Sequence, residues 1–377
     1  MVLSSPHAPN NPAAGARNLL QSCAGVQMRD SVLLVVEPQR FAHYDLKMVE
    51  LITEAARSLC ASVHIISVPP TAGPEEVPAD LMSSIASANH TIFLNRIGDQ
   101  LRFSPLPGHG SKTMCYALDL DLLGSAFAVT PYAVWEGIHA ALSARVAAAT
   151  RYRVQCPRGT DLTMQIDPSL PPRKAGTGFT VKNFPIMIVP PVPAYALSGK
   201  LVLTQALTST YVHFYENSVV PLDTPLTLTL DNGRVVNIEG KPELVARAQA
   251  QFARVGALFG GPTYALNSWH AGINPFTFFD RPALQDIDRW SSVVFGSPRY
   301  AHFHMCGTNP GDICGQIFDP TITFDDAAIW DEGHLAFLTQ EDRAHLLEPL
   351  GLAPESFGAH NDIGIGTAAA SGVAAHA

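Results

Sequence analysis

Charged residues are scarce in this sequence, and none of its hydrophobic runs is long. Asp, Glu, Lys and Arg make up only 15% of the 377 residues, whereas hydrophobic residues make up 47%. This balance excludes an intrinsically disordered chain, which requires low hydrophobicity and high net charge. The 33 acidic residues outnumber the 24 basic ones. The resulting net negative charge gives no attraction to a phosphate backbone, and we do not expect nucleic acid as a partner.

Signals for export and for membrane insertion are also missing. The segment 1–15 lacks the basic start and the apolar run of a signal peptide. No segment reaches the roughly 18 to 20 apolar residues that span a bilayer. Six cysteines are scattered along the chain without a CxxC pair, which favours reduced thiols over a disulfide framework. We predict a cytoplasmic protein without a membrane partner.

The first third of the chain alternates strand and helix patterns. A short apolar run over Ser31–Val36 predicts a strand buried on both faces, and residues 43–59 carry apolar side chains at helical spacing. A second strand is predicted over Ser62–Val68. Strands joined by helices of this length favour a parallel sheet. Neither GxGxxG nor GxxxxGK[ST] occurs, so a nucleotide site is not supported.

The pattern changes after Thr150, where polar and apolar residues alternate, as in Leu226–Leu230 before the turn Asp231-Asn232-Gly233. The predicted fold class is an α/β N-terminal domain with a parallel sheet, followed by a mainly antiparallel α+β C-terminal domain. One helix, over residues 242–258, interrupts the strands of this second domain. The predicted divisions are an N-terminal extension (1–30), an α/β domain (31–150), an α+β catalytic domain (151–362) and a flexible tail (363–377).

The candidate catalytic residues lie in the second half. His302 and His304 are spaced by two, so a strand would place both imidazoles on one face, where they could converge on one ion or substrate. Neutral imidazole is a ligand for zinc and iron, and Asp312 would add a carboxylate. A hydrogen-bonded core pair and a metal-free acid/base site are the alternatives. His270 follows Trp269 and precedes a Gly-Ile-Asn-Pro turn, where a histidine packed on an aromatic ring is the simpler interpretation.

Two cysteines and an aromatic group complete the candidate site. Cys306 and Cys314 are candidate nucleophiles, although a buried cysteine is usually an inert small hydrophobe. The aromatic side chains near the histidines suit a flat, weakly polar ring. The predicted substrate-binding residues are Trp269, Tyr211, His213, Phe276, Cys306 and Cys314.

The order of short motifs over roughly residues 30–330 resembles the aminopeptidase T-like metallopeptidase family and its offshoot, the iron-dependent dihydroxypyridine ring-cleaving dioxygenases. The resemblance is carried by Gly159-Thr160-Asp161-Leu162-Thr163, Asn183-Phe184-Pro185, Gly199-Lys200-Leu201-Val202, Gly272-Ile273-Asn274-Pro275 and the histidine strand. It implies a homodimer and a metal site built from Glu, His and Asp, with two ions in the peptidases and one iron in the dioxygenases.

The sequence departs from the peptidase pattern at the positions that the resemblance assigns to metal ligands. No acid occurs in Ile186–Pro190, where the peptidases have a glutamate, and Ser268-Trp269-His270 stands where another glutamate is expected. The late His-x-Asp pair is replaced by Asp312-Ile313-Cys314. Two divalent ions rarely sit on neutral ligands alone, so a two-zinc peptidase is not expected. One metal, iron or zinc, on His270, His302, His304 and Asp312 remains open, as does a metal-free site.

The favoured function is a hydrolase acting on a small planar nitrogen heterocycle. Water would attack an electron-poor ring carbon or amide-like carbon and expel an amine, amide or nitro group. His302 or His304 would act as general base or hold the metal, with Asp312 orienting that histidine and His270 stabilising charge or ligating metal. One alternative is a mononuclear non-haem iron ring-cleaving dioxygenase. The other is an inactive family member that acts as a binding protein.

Overall fold

Two β-sheets organise the chain. The computed structural model describes residues 10–60, 62–167, 179–188, 191–308, 311–339, 343, 345, 348, 357–358 and 361–365. The first nine residues of the predicted extension and residues 366–377 of the predicted tail lie outside this range.

The helices of the described residues are short, apart from three that exceed twelve residues. None of them is long and apolar enough to cross a membrane. The helices are α1 (Pro12–Arg17), α2 (Leu46–Leu59), α3 (Ala79–Ser87), α4 (Ile97–Leu101), α5 (Leu120–Gly124), α6 (Ala126–Val129), α7 (Tyr132–Ala148), α8 (Pro242–Phe259) and α9 (Ile287–Val294).

The strands run from the first parallel unit to the end of the second sheet. They are β1 (Ser31–Val36), β2 (Ser62–Ser67), β3 (His90–Leu94), β4 (Ser111–Cys115), β5 (Arg151–Gln155), β6 (Asp161–Gln165), β7 (Lys182–Phe184), β8 (Val192–Pro193), β9 (Ser198–Ser209), β10 (Val220–Asp231), β11 (Arg234–Glu239), β12 (Leu266–Ala271), β13 (Tyr300–Met305), β14 (Ile313–Phe318), β15 (Thr321–Phe324), β16 (Ala327–Asp331) and β17 (His334–Leu335).

The first sheet is parallel and has the order β2-β1-β3-β4-β7. Its interior strand β1 buries four consecutive residues, Val32–Val35, as expected for a strand covered on both faces. The parallel arrangement follows from the helices between successive strands, which return the chain to the same edge. Strand β7 joins this sheet from beyond residue 150, so the first sheet draws on both predicted domains.

The second sheet is antiparallel and follows the order β17-β16-β15-β5-β6-β9-β14-β13-β12-β8, with the β10–β11 hairpin attached through β9. The hairpin turn places Asn232 and Gly233 at φ values of 47° and 71°. Asn and Gly tolerate this left-handed conformation, which matches the twist of a two-residue hairpin. The two sheets confirm the predicted fold class of a parallel α/β part followed by an antiparallel α+β part.

The segment before the first strand packs into the core. Leu19, Leu20 and Cys23 follow α1 in a π-helical stretch and are almost completely buried. At the other end of the chain, Ile363 is buried and its carbonyl accepts a hydrogen bond of 2.8 Å from the Trp290 indole. The described parts of the predicted extension and tail are therefore integral to the fold.

Candidate metal centre

Neighbouring strands bring three histidines to one face of the antiparallel sheet. β12 and β13 pair so that His270 lies directly opposite His302, and His304 follows two residues later. Side chains two apart on a strand point to the same side. Both strands are fully or almost fully buried, because the opposite face carries apolar side chains such as Phe303. The strand register itself thus assembles the trio.

The three imidazoles are close enough for one ion to bind all of them. One ring nitrogen from each of His270, His302 and His304 lies within 4.8 Å of the others. The ring centroids are 5.1 Å apart for His270 and His302, 5.1 Å for His270 and His304, and 5.0 Å for His302 and His304. The side chains expose at most 7% of their surface. No other group of three potential ligands is found among the described residues.

Burial keeps two of these imidazoles in the form that binds metals. It lowers the pKa of His302 and His304 well below the usual value, and the neighbouring histidines and Arg102 lower it further. Both side chains are therefore neutral at physiological pH. Their Nδ1 atoms are buried without a hydrogen-bond partner in the part of the chain that the structure describes. Orphaned nitrogens on neutral, converging imidazoles fit a divalent transition metal such as zinc or iron.

Asp312 does not lie with the histidines. Its Oδ1 atom is 2.7 Å from Nδ1 of His213, and the described trio contains no carboxylate. Burial raises the pKa of the Asp312 carboxyl, and the hydrogen bond with His213 opposes this rise. Asp312 lies apart from the histidines because of its place in the β13–β14 hairpin. Asp312 precedes β14 at the turn, where its carboxylate meets the β9–β10 loop, whereas Cys314 lies opposite His304.

A small polar cavity lies over the histidine face, between this face, the end of α4 and α9. Its volume is about 40 Å³. It is lined by Asp99, Arg102, Ile188, Thr208, Ser209, Thr210, Tyr211, His270, Ser291, Ser292, Phe295, Tyr300, His302, His304 and Cys314. Hydroxyl, charged and imidazole groups dominate this list, so hydrophobic side chains do not plug the cavity.

A buried ion pair forms the wall contributed by the parallel part of the chain. Arg102 Nη1 donates a hydrogen bond of 3.0 Å to Asp99 Oδ1, which also accepts one of 2.8 Å from the Tyr116 hydroxyl. Burial raises the pKa of the Asp99 carboxyl, while Arg102 and Tyr116 favour its charged form. We did not predict Asp99 or Arg102 from the sequence. The available signal was their position in and immediately after α4, the helix that follows β3, because ligands of open parallel sheets bind beyond the carboxyl ends of strands.

The two candidate nucleophiles are protonated thiols. Burial raises the pKa of Cys314, which lines the cavity, to about 12. Burial and the Asp312 charge raise the pKa of Cys306 to about 11, and its Sγ lies 3.5 Å from the Phe252 carbonyl. A nucleophilic cysteine needs the thiolate. Neither environment favours covalent catalysis at neutral pH.

The predicted substrate-binding residues divide into two groups. Tyr211 and Cys314 line the cavity. Trp269 points to the other sheet face, as alternation requires, and packs on Tyr152 and Phe324.

The remaining members of that group also lie outside the described cavity lining. Phe276 packs edge-on against Trp135, with the ring centroids 6.2 Å apart. His213 stacks on Phe259 with centroids 4.4 Å apart, and Cys306 is in the hairpin turn. Trp269, Phe276 and Cys306 are close in sequence to the three histidines, but they do not line this cavity.

A larger cleft of about 540 Å³ lies elsewhere, between the N-termini of α2 and α5 and the segment 278–281. Its aspartates have structural contacts. Asp45 accepts a hydrogen bond from the Lys47 amide at 2.8 Å and so caps α2, and Asp119 is 2.9 Å from Arg289. None of the three clustered histidines lines this cleft.

Comparison with known proteins finds similarity in solved structures. No protein-family model matches the chain, and no curated protein does. Among solved structures, 2,5-dihydroxypyridine dioxygenase from Pseudomonas putida KT2440 is similar, with a TM-score of 0.55 and 14% sequence identity over 89% of this chain and 100% of that chain. At this identity the similarity supports the fold. This similarity does not show the aminopeptidase T-like family that the sequence motifs resemble.

Proposed function

We propose that this protein is a mononuclear non-haem iron dioxygenase that cleaves the ring of a small hydroxylated nitrogen heterocycle, with His270, His302 and His304 as the metal ligands. The convergence of the three imidazoles carries the proposal. The similar fold of a dihydroxypyridine dioxygenase favours this reaction class over the hydrolase that the sequence suggested.

The three histidines would hold the ion and leave coordination positions for oxygen and substrate. When bound, iron supplies the redox chemistry of oxygen activation. The protein contributes a buried cavity, because each ligand exposes at most 7% of its surface, and this burial excludes bulk water. The lining also contains the hydroxyl groups of Tyr300 and of Ser292, which donates to the Asp288 carbonyl at 2.8 Å.

Substrate entry requires the wall formed by residues 209–211 to move. A cavity of about 40 Å³ holds roughly three water molecules, which is less than a six-membered ring needs. The Tyr211 hydroxyl lies 2.6 Å from Ser291 Oγ and donates to Asp288 at 3.2 Å, so two hydrogen bonds attach this wall to α9. Tyr211 has a φ of 63°, a conformation that a non-glycine residue rarely adopts. We therefore assign the loop after β9 as the part that opens.

The test is oxygen consumption by anaerobically purified protein reconstituted with Fe(II) and supplied with dihydroxypyridines. We expect one dioxygen consumed per ring lost and two labelled oxygen atoms in the product from ¹⁸O₂. His270→Ala, His302→Ala and His304→Ala should each abolish turnover. His90→Ala is the matched control, since His90 pairs with Asp30 at 2.9 Å outside the trio. Unchanged turnover in the absence of oxygen would overturn the proposal.

Zinc-dependent hydrolysis is the second candidate, and one feature favours it. A set of three histidines without a carboxylate is also a catalytic zinc set, in which the metal activates water. The same assay separates the two candidates, because a hydrolase would act without oxygen and with zinc in place of iron.

A further inference from the structure

Arg102 is a buried cation with hydrogen-bonding capacity that the described protein does not use. Its side chain is 10% exposed and lines the same cavity as the histidines. Nη1 donates to Asp99, but Nε is buried with no hydrogen-bond partner among the described residues. A guanidinium has five N–H donors in a planar fork, and leaving one buried and unpaired is unfavourable.

The partner that Arg102 already has is shared. Asp99 Oδ1 accepts hydrogen bonds from both Arg102 and the Tyr116 hydroxyl. The hydrogen bond from Nη1 to Oδ1 is not the bidentate contact that a guanidinium makes when it pairs fully with a carboxylate. Asp99 thus anchors the guanidinium at one nitrogen, and Nε remains for a second acceptor.

The charge distribution of the cavity favours an anionic guest. Asp99 is the only acidic residue among the described lining residues, and Arg102 balances it. Arg102 lines the same cavity as His270, His302 and His304, so its charge faces the same small volume. A divalent ion on three imidazoles would add positive charge without a protein carboxylate to offset it.

We propose that Arg102 binds a carboxylate on the substrate ring, so that the substrate class is an aromatic ring carboxylate. The substrate class rests on the proposed function, whereas the anion subsite at Arg102 does not. Carboxylate is the acceptor that a guanidinium fork matches best, since two oxygens accept parallel N–H donors. The ring carboxylate would lie on the Arg102 side of the cavity and the reacting part of the ring on the histidine side.

The test is calorimetric titration of the full-length protein with pyridine-3-carboxylate and its uncharged isostere pyridine-3-carboxamide. Neither compound can chelate a metal ion through its ring nitrogen and its substituent together. Titrations of metal-free and of zinc-loaded protein separate binding to Arg102 from binding to the metal. We expect metal-free wild type to bind the carboxylate about tenfold to a hundredfold more tightly than the amide. Arg102→Met should remove this preference, and Arg102→Lys should retain only part of it because Lys lacks the fork.

Two further variants keep the test interpretable if Arg102→Met fails to fold. Asp99→Asn/Arg102→Met removes both charges and should show no carboxylate preference. Asp99→Asn alone removes the competing negative charge and should strengthen carboxylate binding. Equal affinity of wild type for the two probes, or a preference that survives in the double variant, would overturn the subsite. If wild type prefers the carboxylate but does not bind metal, the proposed function is refuted and the anion subsite at Arg102 is not.

Discussion

Metal binding by the three histidines should stabilise the folded protein by an amount that follows from mass action. An ion that binds only the folded chain, at a free concentration one thousand times its Kd, adds about 4.1 kcal/mol to the free energy of unfolding. The unfolding entropy of about 2.1 cal/mol/K per residue gives about 0.8 kcal/mol/K for 377 residues. The unfolding midpoint should therefore rise by about 5 °C.

Removal of one ligand should nearly abolish this rise. If His304→Ala weakens the affinity about a thousandfold, the same ion concentration equals the new Kd and the stabilisation falls to about 0.4 kcal/mol, or about 0.5 °C. His270→Ala and His302→Ala should behave alike, because the ring nitrogens of all three lie within 4.8 Å of one another.

Differential scanning calorimetry of tag-free protein, treated with a chelator and then titrated with Zn²⁺ or anaerobic Fe²⁺, measures these shifts. His90→Ala serves again as control, since its imidazole pairs with Asp30 and Ser111 near the start of β3. The unfolding midpoint of metal-free His90→Ala can differ from that of wild type, but the metal-induced rise of the midpoint should persist. A wild-type rise that each trio variant retains in full would refute the assignment of these histidines as the ligands.

Two further predictions follow from the same geometry. Asp312→Asn should lower the free energy of unfolding by about 1–3 kcal/mol in urea titrations, because it weakens the contact with His213. The metal-induced rise of the unfolding midpoint should remain. Loss of that rise would show that Asp312 is a metal ligand. Since His302 and His304 have lowered folded pKa values, the unfolded chain binds more protons below about pH 6.5, and metal-free protein should lose stability as the pH falls from there. His302→Gln should reduce that slope, by at most about 1.4 kcal/mol per pH unit, in urea titrations below about pH 6.5, and an unchanged slope would contradict a buried neutral His302.

The fold class was predictable because its strongest signals are local. Ser31–Val36 is a continuous apolar run and forms the predicted strand with the same bounds, since a strand covered by helices on both faces needs apolar residues at every position. The helix predicted over residues 242–258 ends one residue later, at Phe259. Here periodicity and a proline at the first helical position agree.

Elements defined by distant contacts were not predictable in this way. Strand β7 has only three residues, Lys182–Phe184, and joins the parallel sheet by pairing with β4, about seventy residues earlier in the chain. The segment Asn18–Ala24 has no clear apolar period, but Asn18 donates hydrogen bonds of 2.8 Å to the carbonyls of Ala128 and Thr130. Such contacts depend on tertiary packing rather than on local propensity.

In the candidate site, too, some side-chain positions follow from local strand pattern and others depend on distant contacts. Strand alternation predicts that His302 and His304 share a face, and a register between two antiparallel strands suffices to add His270. Alternation also places Trp269 on the opposite face, so its position next to His270 argues against a role in the cavity. Asp312 and Arg102 obey no such rule. The first depends on how a hairpin turn meets the β9–β10 loop, and the second reaches the histidine face only because the end of α4 packs over the antiparallel sheet. Strand alternation and one strand register can thus locate the proposed metal ligands, whereas the groups proposed to select the substrate depend on how the two sheets pack against each other.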